Sequence, residues 1–243
     1  MTKEFVDMLE KQCEELEILL SDNQKEQFFR YYEMLIEWNK VMNLTAITEI
    51  SDVITKHFAD SLLLVKAIPN IKELPYYCID VGTGAGFPGI PLKIVFPQLK
   101  FVLLDSLNKR VGFLNAVINE LRLENITAVH GRAEDLAHNV EYRENFDLCI
   151  SRAVANMSTL SEYCLPFVKT GGLFIPYKSG KIEEEKNTAV SAINKLGGNM
   201  ESVISLLLPG SDVERTFIPV KKVKATQKKY PRKAGLPSKE PLK

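Results

Sequence analysis

The sequence is poor in the residues that build metal centres and covalent staples. It has four cysteines, Cys13, Cys78, Cys149 and Cys164, with no CxxC spacing among them, so neither a zinc knuckle nor a disulfide framework is expected. They read as buried thiols. No second histidine stands at metal-ligand spacing from His57, and His130 and His138 carry no distinct signal, so no metal is expected. No apolar run approaches the roughly 18 residues that a membrane span needs, and the opening MTKEFVDMLEKQCEELE is too charged for a secretory signal. A cytoplasmic, monomeric protein with no membrane partner is the expectation. Internal repeats are absent as well. What the 243 residues do contain, 45% hydrophobic and 26% charged, suffices for one sizeable core with room for an appended element.

Net charge is also lacking, with 31 basic and 31 acidic residues, but the balance conceals an asymmetry. From Lys221 to Lys243 there are nine Lys or Arg against Glu240 alone, so this end carries +8 and residues 1–220 carry −8. Such a run is either a solvated, disordered tail or a segment built to meet an anion. Tyr230 between Lys229 and Pro231 favours the second reading, because an aromatic ring among cations can stack on a base while its neighbours hold phosphates. Lys228, Lys229, Tyr230, Arg232 and Lys233 are therefore candidate RNA-binding residues.

Apolar residues at Phe5, Leu9, Cys13, Leu16, Leu19 and Leu20 predict a helix over residues 3–20. Ser21 and Gln24 have capping-box spacing, and Phe28, Tyr31, Tyr32, Leu35, Ile36 and Trp38 continue a second helix toward Asn43, with an aromatic stripe that reads as core. A third, at about 51–67, carries Ile54, Phe58, Leu62 and Val65 on one face. From Tyr76 the pattern changes to short apolar runs at 77–81, 100–104, 126–130, 146–150, 171–175, 202–208 and 215–221, with helices between the first six. This alternation predicts an α/β fold with a seven-stranded, mostly parallel sheet. The last two runs, joined through Pro209-Gly210-Ser211-Asp212, leave no room for a helix and predict an antiparallel hairpin. The expected organisation is an N-terminal helical extension (1–68), a Rossmann-like domain (69–221) and the basic tail (222–243).

The first predicted strand runs into Asp80-Val81-Gly82-Thr83-Gly84-Ala85-Gly86-Phe87-Pro88-Gly89, an acid and four glycines between a strand and a helix. Glycine permits positive φ and close approach of a ligand to the backbone, so this is a candidate nucleotide-cofactor loop. Gly84 to Gly89 is a literal GxGxxG, and Asp105 follows at about the interval that would hold a ribose in a nicotinamide-dependent oxidoreductase. The register argues against that reading. A dinucleotide fingerprint starts at the strand end, where this chain has Gly82, and Phe87 then takes the place of the third glycine. S-adenosylmethionine needs a different lining: Asp80 for its ammonium, the amides of Gly82 and Gly84 for its carboxylate, and Asp105 for both ribose hydroxyls. The third strand ends in Gly131-Arg132-Ala133-Glu134-Asp135, where a backbone amide and an acidic side chain could read the adenine edge. Each acid could instead cap a helix, but three at successive strand ends form a constellation.

These and other segments carry a family resemblance. NLTAI (43–47), HFADSLL (57–63), DVGTGAGFPGIPLKI (80–94), LLDSLNKRVGFL (103–114), GRAEDL (131–136), FDLCISRAV (146–154), YKSG (177–180) and YPRKAGLPSKEPL (230–242) resemble the bacterial RsmG, or GidB, family over nearly the whole chain. The resemblance implies a class I methyltransferase fold and S-adenosylmethionine-dependent methylation of guanine N7 in 16S ribosomal RNA of the small subunit. It also implies cofactor contacts at Gly82, Phe87, Ala133, Glu134 and Arg152.

The residues are compatible with that chemistry. N7 already carries an in-plane lone pair, so transfer to it needs alignment and no general base. After the fourth strand the chain reads Ser151-Arg152-Ala153-Val154, not the Asn or Asp, two prolines and aromatic of amine methyltransferases. There is no Pro-Cys pair there for covalent attack on a pyrimidine. No catalytic residue is assigned; Arg152 and Lys178 are the substrate-positioning candidates. Arg152 either pairs with Asp147 or Glu134, or faces the cofactor carboxylate or guanine O6. Lys178 either grips phosphate or guanine, or is solvated. Lys109, Arg110 and Arg132 either pair with nearby acids or line an RNA path. His57 and Asp60, at i and i+3, read as a helix-surface polar pair. A non-catalytic rRNA-binding assembly factor on the same fold is the alternative to an enzyme.

Overall fold

The computed structural model describes residues 1–152, 155–179 and 182–243, and only the backbone of Pro69. Ala153, Val154 and Gly180, which belong to two of the motifs above, lie outside the described residues. Helix α1 (Lys3–Glu15) ends earlier than its apolar pattern suggests, because Glu17 takes a φ of 58° and reverses the chain. Helix α2 (Asp22–Met42) starts on the expected capping box: Ser21 Oγ accepts from Gln24 N, and Gln24 Oε1 accepts from Ser21 N. Segment α3 (residues 50–67) is α-helical at Ile50–Val53, widens into a π-helical stretch at Ile54–Ala59, and continues through Asp60–Leu62 and Leu64–Ala67.

Strands β1 (Tyr77–Val81), β2 (Lys100–Asp105), β3 (Ile126–His130), β4 (Phe146–Arg152) and β5 (Val168–Lys178) are parallel in the order β3-β2-β1-β4-β5. Helices α4 (Gly89–Val95), α5 (Asn108–Glu120), α6 (Ala133–Leu136), α7 (Met157–Cys164) and α8 (Glu183–Lys195) make or follow the crossovers. The order reverses between β1 and β4, where open α/β sheets bind ligands at their carboxyl edge.

The sheet has nine strands among the described residues, where seven were expected. Beyond β5 lie β6 (Gly198–Met200), β7 (Ile204–Leu207), β8 (Glu214–Phe217) and β9 (Val220–Lys222). The expected hairpin is present, with β7 antiparallel to β8. The run at 215–221 is broken by Pro219, which has no N–H for a ladder. The chain therefore pairs with β5 twice, β8 at Tyr177–Lys178 and β9 at Leu173–Phe174. Strand β5 is longer than its apolar run because Gly171-Gly172 hides its start. A Cβ on Gly172 would lie 2.7 Å from the Asp147 carbonyl, so only glycine lets β5 approach β4 this closely.

Alternate side chains of the strands serve two cores. Cys78, Leu103, Leu148 and Ile150 pack with α1–α5, while Ile79, Val81, Leu104 and Cys149 pack under α6–α8 and Tyr230. The N-terminal helices thus share a core with the sheet. A short final helix, α9 (Leu236–Lys239), lies in the C-terminal segment, which is folded back onto the domain. No helix of the described residues is long and apolar enough to cross a membrane, and no described group of three or more His, Cys, Asp or Glu is arranged to hold a metal. All four cysteines are buried and free.

Candidate functional site

The glycine loop leaves β1 with Gly82, Gly84 and Gly86 at φ of 73°, 63° and 101°, a backbone path that residues with side chains rarely follow. Five hydrogen bonds brace it. Asp80, fully buried at the end of β1, accepts from Thr83 Oγ1 at 2.7 Å and from Gly89 N at 2.9 Å through Oδ2. Asp105 accepts from Gly84 N at 2.9 Å and from Leu107 N at 2.9 Å. Tyr31 of α2 donates to the Ala85 carbonyl at 2.5 Å, and its ring packs against Phe58 and Phe87. The aromatic stripe on α2 is core, as expected, and one of its hydroxyls also holds the loop.

Beside the loop is a crevice of about 280 Å³ along the ends of β1, β2 and β3. Gly82, Ser106, Ala133, Glu134, Tyr163 and Gly235 are among its walls. Two expectations change here. Asp105 does not line the crevice. It is 2% exposed, and its carboxylate is committed to the Gly84 amide of the loop, to the Leu107 amide and to Arg110 at 3.4 Å, so it supports the loop from beneath. The second change is Gly235, from the supposedly separate tail, whose N–H donates to Glu134 Oε1 at 2.9 Å.

A second cavity of about 440 Å³ opens at the ends of β4, β5 and β8. Arg152 and Lys178 both line it, but Arg152 pairs with neither Asp147 nor Glu134. Its guanidinium donates to Asp60 Oδ2 at 2.6 Å and lies over the Phe87 ring at 5.2 Å. Asp60, 1% exposed, also accepts from Arg215 Nε at 2.6 Å through its other oxygen. His57 stacks on Phe87 at 4.4 Å, bonds Thr45 Oγ1 at 2.8 Å, and has Nδ1 3.4 Å from Arg152. Burial and the neighbouring Arg152 push the His57 pKa down to about 3, so its imidazole is neutral. The surface-pair expectation for His57 and Asp60 is therefore overturned: α3, through its π-helical stretch, delivers both to the site. Lys178 is not a solvated lysine either, since Nζ donates to Glu185 Oε1 at 2.6 Å and to the Ala155 carbonyl at 2.7 Å.

The sequence profile described as "rRNA small subunit methyltransferase G" matches residues 24–214. A protein called "Ribosomal RNA small subunit methyltransferase G" from Lachnoclostridium phytofermentans is 57% identical over 92% of this chain and 91% of its own. One of the same name from Clostridium botulinum (strain Loch Maree / Type A3) is 47% identical over 99% of this chain and 100% of its own. The chain belongs to this family. It is an S-adenosylmethionine-dependent methyltransferase, and the nicotinamide reading of the glycine loop falls away. A solved SAM-dependent methyltransferase from Aquifex aeolicus has a TM-score of 0.51 at 16% identity, covering 71% of this chain and 93% of its own. M. jannaschii TYW2 in complex with AdoMet has 0.52 at 15%, covering 68% and 77%. Both likenesses speak for the fold.

The residues fit the family's cofactor. Asp80 Oδ1 is buried and has no partner among the described residues, an acceptor suited to an ammonium group. A Cβ on Gly84 would meet nothing within 4 Å, so that face of the loop is open, but the Gly82 and Gly84 amides expected to meet the cofactor carboxylate donate inward, to the Leu104 carbonyl and to Asp105. Gly82, Ala133 and Glu134 line the crevice, whose volume of about 280 Å³ falls just below the range of about 300–1,000 Å³ usual for ligand pockets. Phe87 and Arg152 belong to the boundary with the second cavity.

The tail departs most from expectation. Tyr230 is 8% exposed in the core beneath α6–α8, so it has no face to offer a base. Arg232 grips the fully buried Glu162 through Nε and Nη2, at 2.9 and 2.7 Å, and is engaged inside the protein. Lys222, one of the nine basic residues of that run, is buried among Leu165 O, Thr226 and Glu144. Arg143 donates to the carbonyls of Thr226, Gln227 and Tyr230, which fastens the segment down. Arg110 faces Asp105. Lys109, Arg132, Lys228, Lys229 and Lys233 remain exposed. Of the site residues that sequence reasoning missed, His57 and Asp60 were signalled by the motif HFADSLL. Gly235 lay within the motif YPRKAGLPSKEPL, whereas Arg215 had no local signal, because it reaches the site by long-range pairing.

Proposed function

We propose that this protein transfers a methyl group from S-adenosylmethionine to N7 of a guanine in the 16S ribosomal RNA of the small ribosomal subunit, acting as a cytoplasmic monomer. When bound, the cofactor supplies an electrophilic methyl on a positively charged sulfur. The observation that carries the N7 reading is a cavity beside the glycine loop rich in cations, in which both carboxylates are ion-paired. Asp60 is bound through both oxygens, by Arg152 and Arg215, whereas Glu185 holds Lys178 and the Met157 amide through Oε1 alone. His57 is held neutral between Thr45 and Arg152.

A ring nitrogen with a free lone pair suits such a site, because nothing has to be deprotonated. What the chain contributes is placement and exclusion of water. Asp80, Gly82, Gly84, Ala133 and Glu134 hold the cofactor, Phe87 and His57 close the floor between the two cavities, and Arg152 orients the groups that meet there. The cavity carries Lys56, Arg152, Lys178 and Arg215 against Asp60 and Glu185, a surplus of two positive charges that favours a phosphate backbone. Exposed Lys109, Arg132, Lys228, Lys229 and Lys233 extend this attraction beyond the pocket.

The test is incubation with methyl-labelled S-adenosylmethionine and either naked 16S rRNA or small subunits, followed by nucleoside analysis. Label in 7-methylguanosine is expected from one of the two substrates. Binding of rRNA with no labelled product from either would instead make the protein an assembly factor. Light scattering of the free protein checks the monomer.

A further inference from the structure

The carboxyl edge of the sheet divides at the reversal between β1 and β4, where Ser151 Oγ donates to the Val81 carbonyl at 2.7 Å. On one side the crevice at β1–β3 has the end of the glycine loop and the Glu134 carboxylate of a cofactor site. On the other, at β4, β5 and β8, is the cavity holding both charged pairs. The first pair is closed: Asp60 is 1% exposed with both oxygens bound to arginines, so it offers nothing to a ligand. The second is open. Glu185 Oε1 receives both Lys178 Nζ and the Met157 amide, while Oε2 has no partner among the described residues, and the side chain is 28% exposed. A carboxylate acceptor and an ammonium donor thus lie side by side at the cavity wall, 2.6 Å apart.

We propose that Glu185 and Lys178 are the guanine-reading pair, Glu185 accepting from N1–H and the 2-amino group of the target base and Lys178 donating to O6. This rests on the methylation reading above. Guanine carries two donors and an acceptor along its Watson–Crick edge, and its other edge offers only the acceptors O6 and N7. A protein that methylates N7 must leave it bare, so recognition falls to the opposite edge, which wants an acceptor beside a donor. Adenine is rejected by the same pair, since its N1 lone pair would meet the carboxylate and its 6-amino group the ammonium. The fixed Arg152 and Arg215 then complete the walls, with the Phe87–His57 stack behind Arg152.

The test is a two-by-two cycle of methyl transfer, run at the guanine where wild type places its label. The wild-type protein and Glu185→Gln are each given rRNA with that guanine intact or replaced by inosine, which lacks the 2-amino group. The expected result is a loss of roughly 10-fold or more for wild type on inosine, as for one good base-edge contact, and a similar or larger loss for Glu185→Gln on guanine. The inosine penalty should shrink to within about twofold in the variant, while affinity for S-adenosylmethionine stays unchanged. Should Glu185→Gln not fold, Glu185→Asp enters the same cycle with its charge retained and its reach shortened. Equal wild-type rates on guanine and inosine, or an undiminished penalty in the variant, overturn the proposal. Failure of the methylation reading is distinguishable, because wild type would then put no label on guanine at all.

Discussion

Asp60→Ala is the sharpest perturbation of the site, because it removes one small group that two arginines share. Asp60 is 1% exposed and bonds Arg152 Nη1 and Arg215 Nε, both at 2.6 Å, while the arginine side chains are 13% and 16% exposed. Taking away one partner of a buried ion pair costs about 3–5 kcal/mol, since the partner charge stays behind uncompensated. Here the arginines keep some water, and Arg152 keeps the Phe87 face, so the low end applies, about 3 kcal/mol. For a chain of 243 residues that lowers the melting temperature by roughly 6–12 °C. A triple variant, Asp60→Leu with Arg152→Met and Arg215→Met, removes all three charges together and should recover most of that loss, because well-packed apolar groups often replace a buried triad without cost. Its methyl transfer should nevertheless be abolished, because the cavity has lost both arginines. Calorimetric melting and labelled-methyl transfer on the same preparations read the two effects. The reasoning is refuted if Asp60→Ala melts within about 2 °C of wild type, or if the triple variant transfers methyl groups.

Asp80 gives a pH signature: full burial raises its pKa from 3.8 to about 6, so the folded state favours the protonated form. Stability from this group is complete below pH 3.8 and is lost as pH rises through about 6, by roughly 3 kcal/mol. Asp80→Asn should therefore gain on wild type above about pH 6, lose that advantage below 4, and bind S-adenosylmethionine more weakly at every pH; denaturation and calorimetry across pH check this. Gly82→Val places a branched side chain at φ 73°, a strain of about 1–3 kcal/mol, and should weaken cofactor binding by roughly 10-fold or more in calorimetry. Replacing exposed Lys228, Lys229 and Lys233 with Gln should reduce the slope of log affinity for rRNA against log salt by about 2. Arg232→Ala, by contrast, should leave that slope unchanged and lower stability by about 3 kcal/mol, because it strands the fully buried Glu162.

Local physics made the strands, the glycine loop and the capping box of α2 readable from sequence. Short apolar runs, glycines at a strand end and a Ser-x-x-Gln each declare themselves within a few residues. Two kinds of information were not local. The split of the last predicted strand followed from which neighbour each half could pair with, and Pro219 was the one hint. The second kind was the partner of each charge. Asp105 looked like a ribose ligand, but its carboxylate was needed by Gly84 and Leu107 across 21 and 2 residues. Arg232 and Tyr230 looked like an RNA tail because a charge run read in isolation has no visible counterion. Glu162 lies 70 residues earlier, buried in α7, and nothing in its own surroundings marks it as waiting for an arginine.

The same pairings tie cofactor and substrate sites to opposite ends of the chain. Gly235 binds Glu134 at the crevice, and the segment carrying it is fastened by Arg143 and by the Arg232–Glu162 pair. Tyr31 and Asp60, from the N-terminal helices, hold the glycine loop and the arginines of the second cavity. Removing residues 223–243 should therefore act first on the cofactor: it takes away a wall of the crevice, frees Glu134 and exposes Glu162. Calorimetry should show weaker S-adenosylmethionine binding before any RNA is added. If the shortened protein folds and binds the cofactor as tightly as the full chain, losing only its grip on rRNA, the docked tail contributes nothing to the crevice and the electrostatic reading of this segment is the right one.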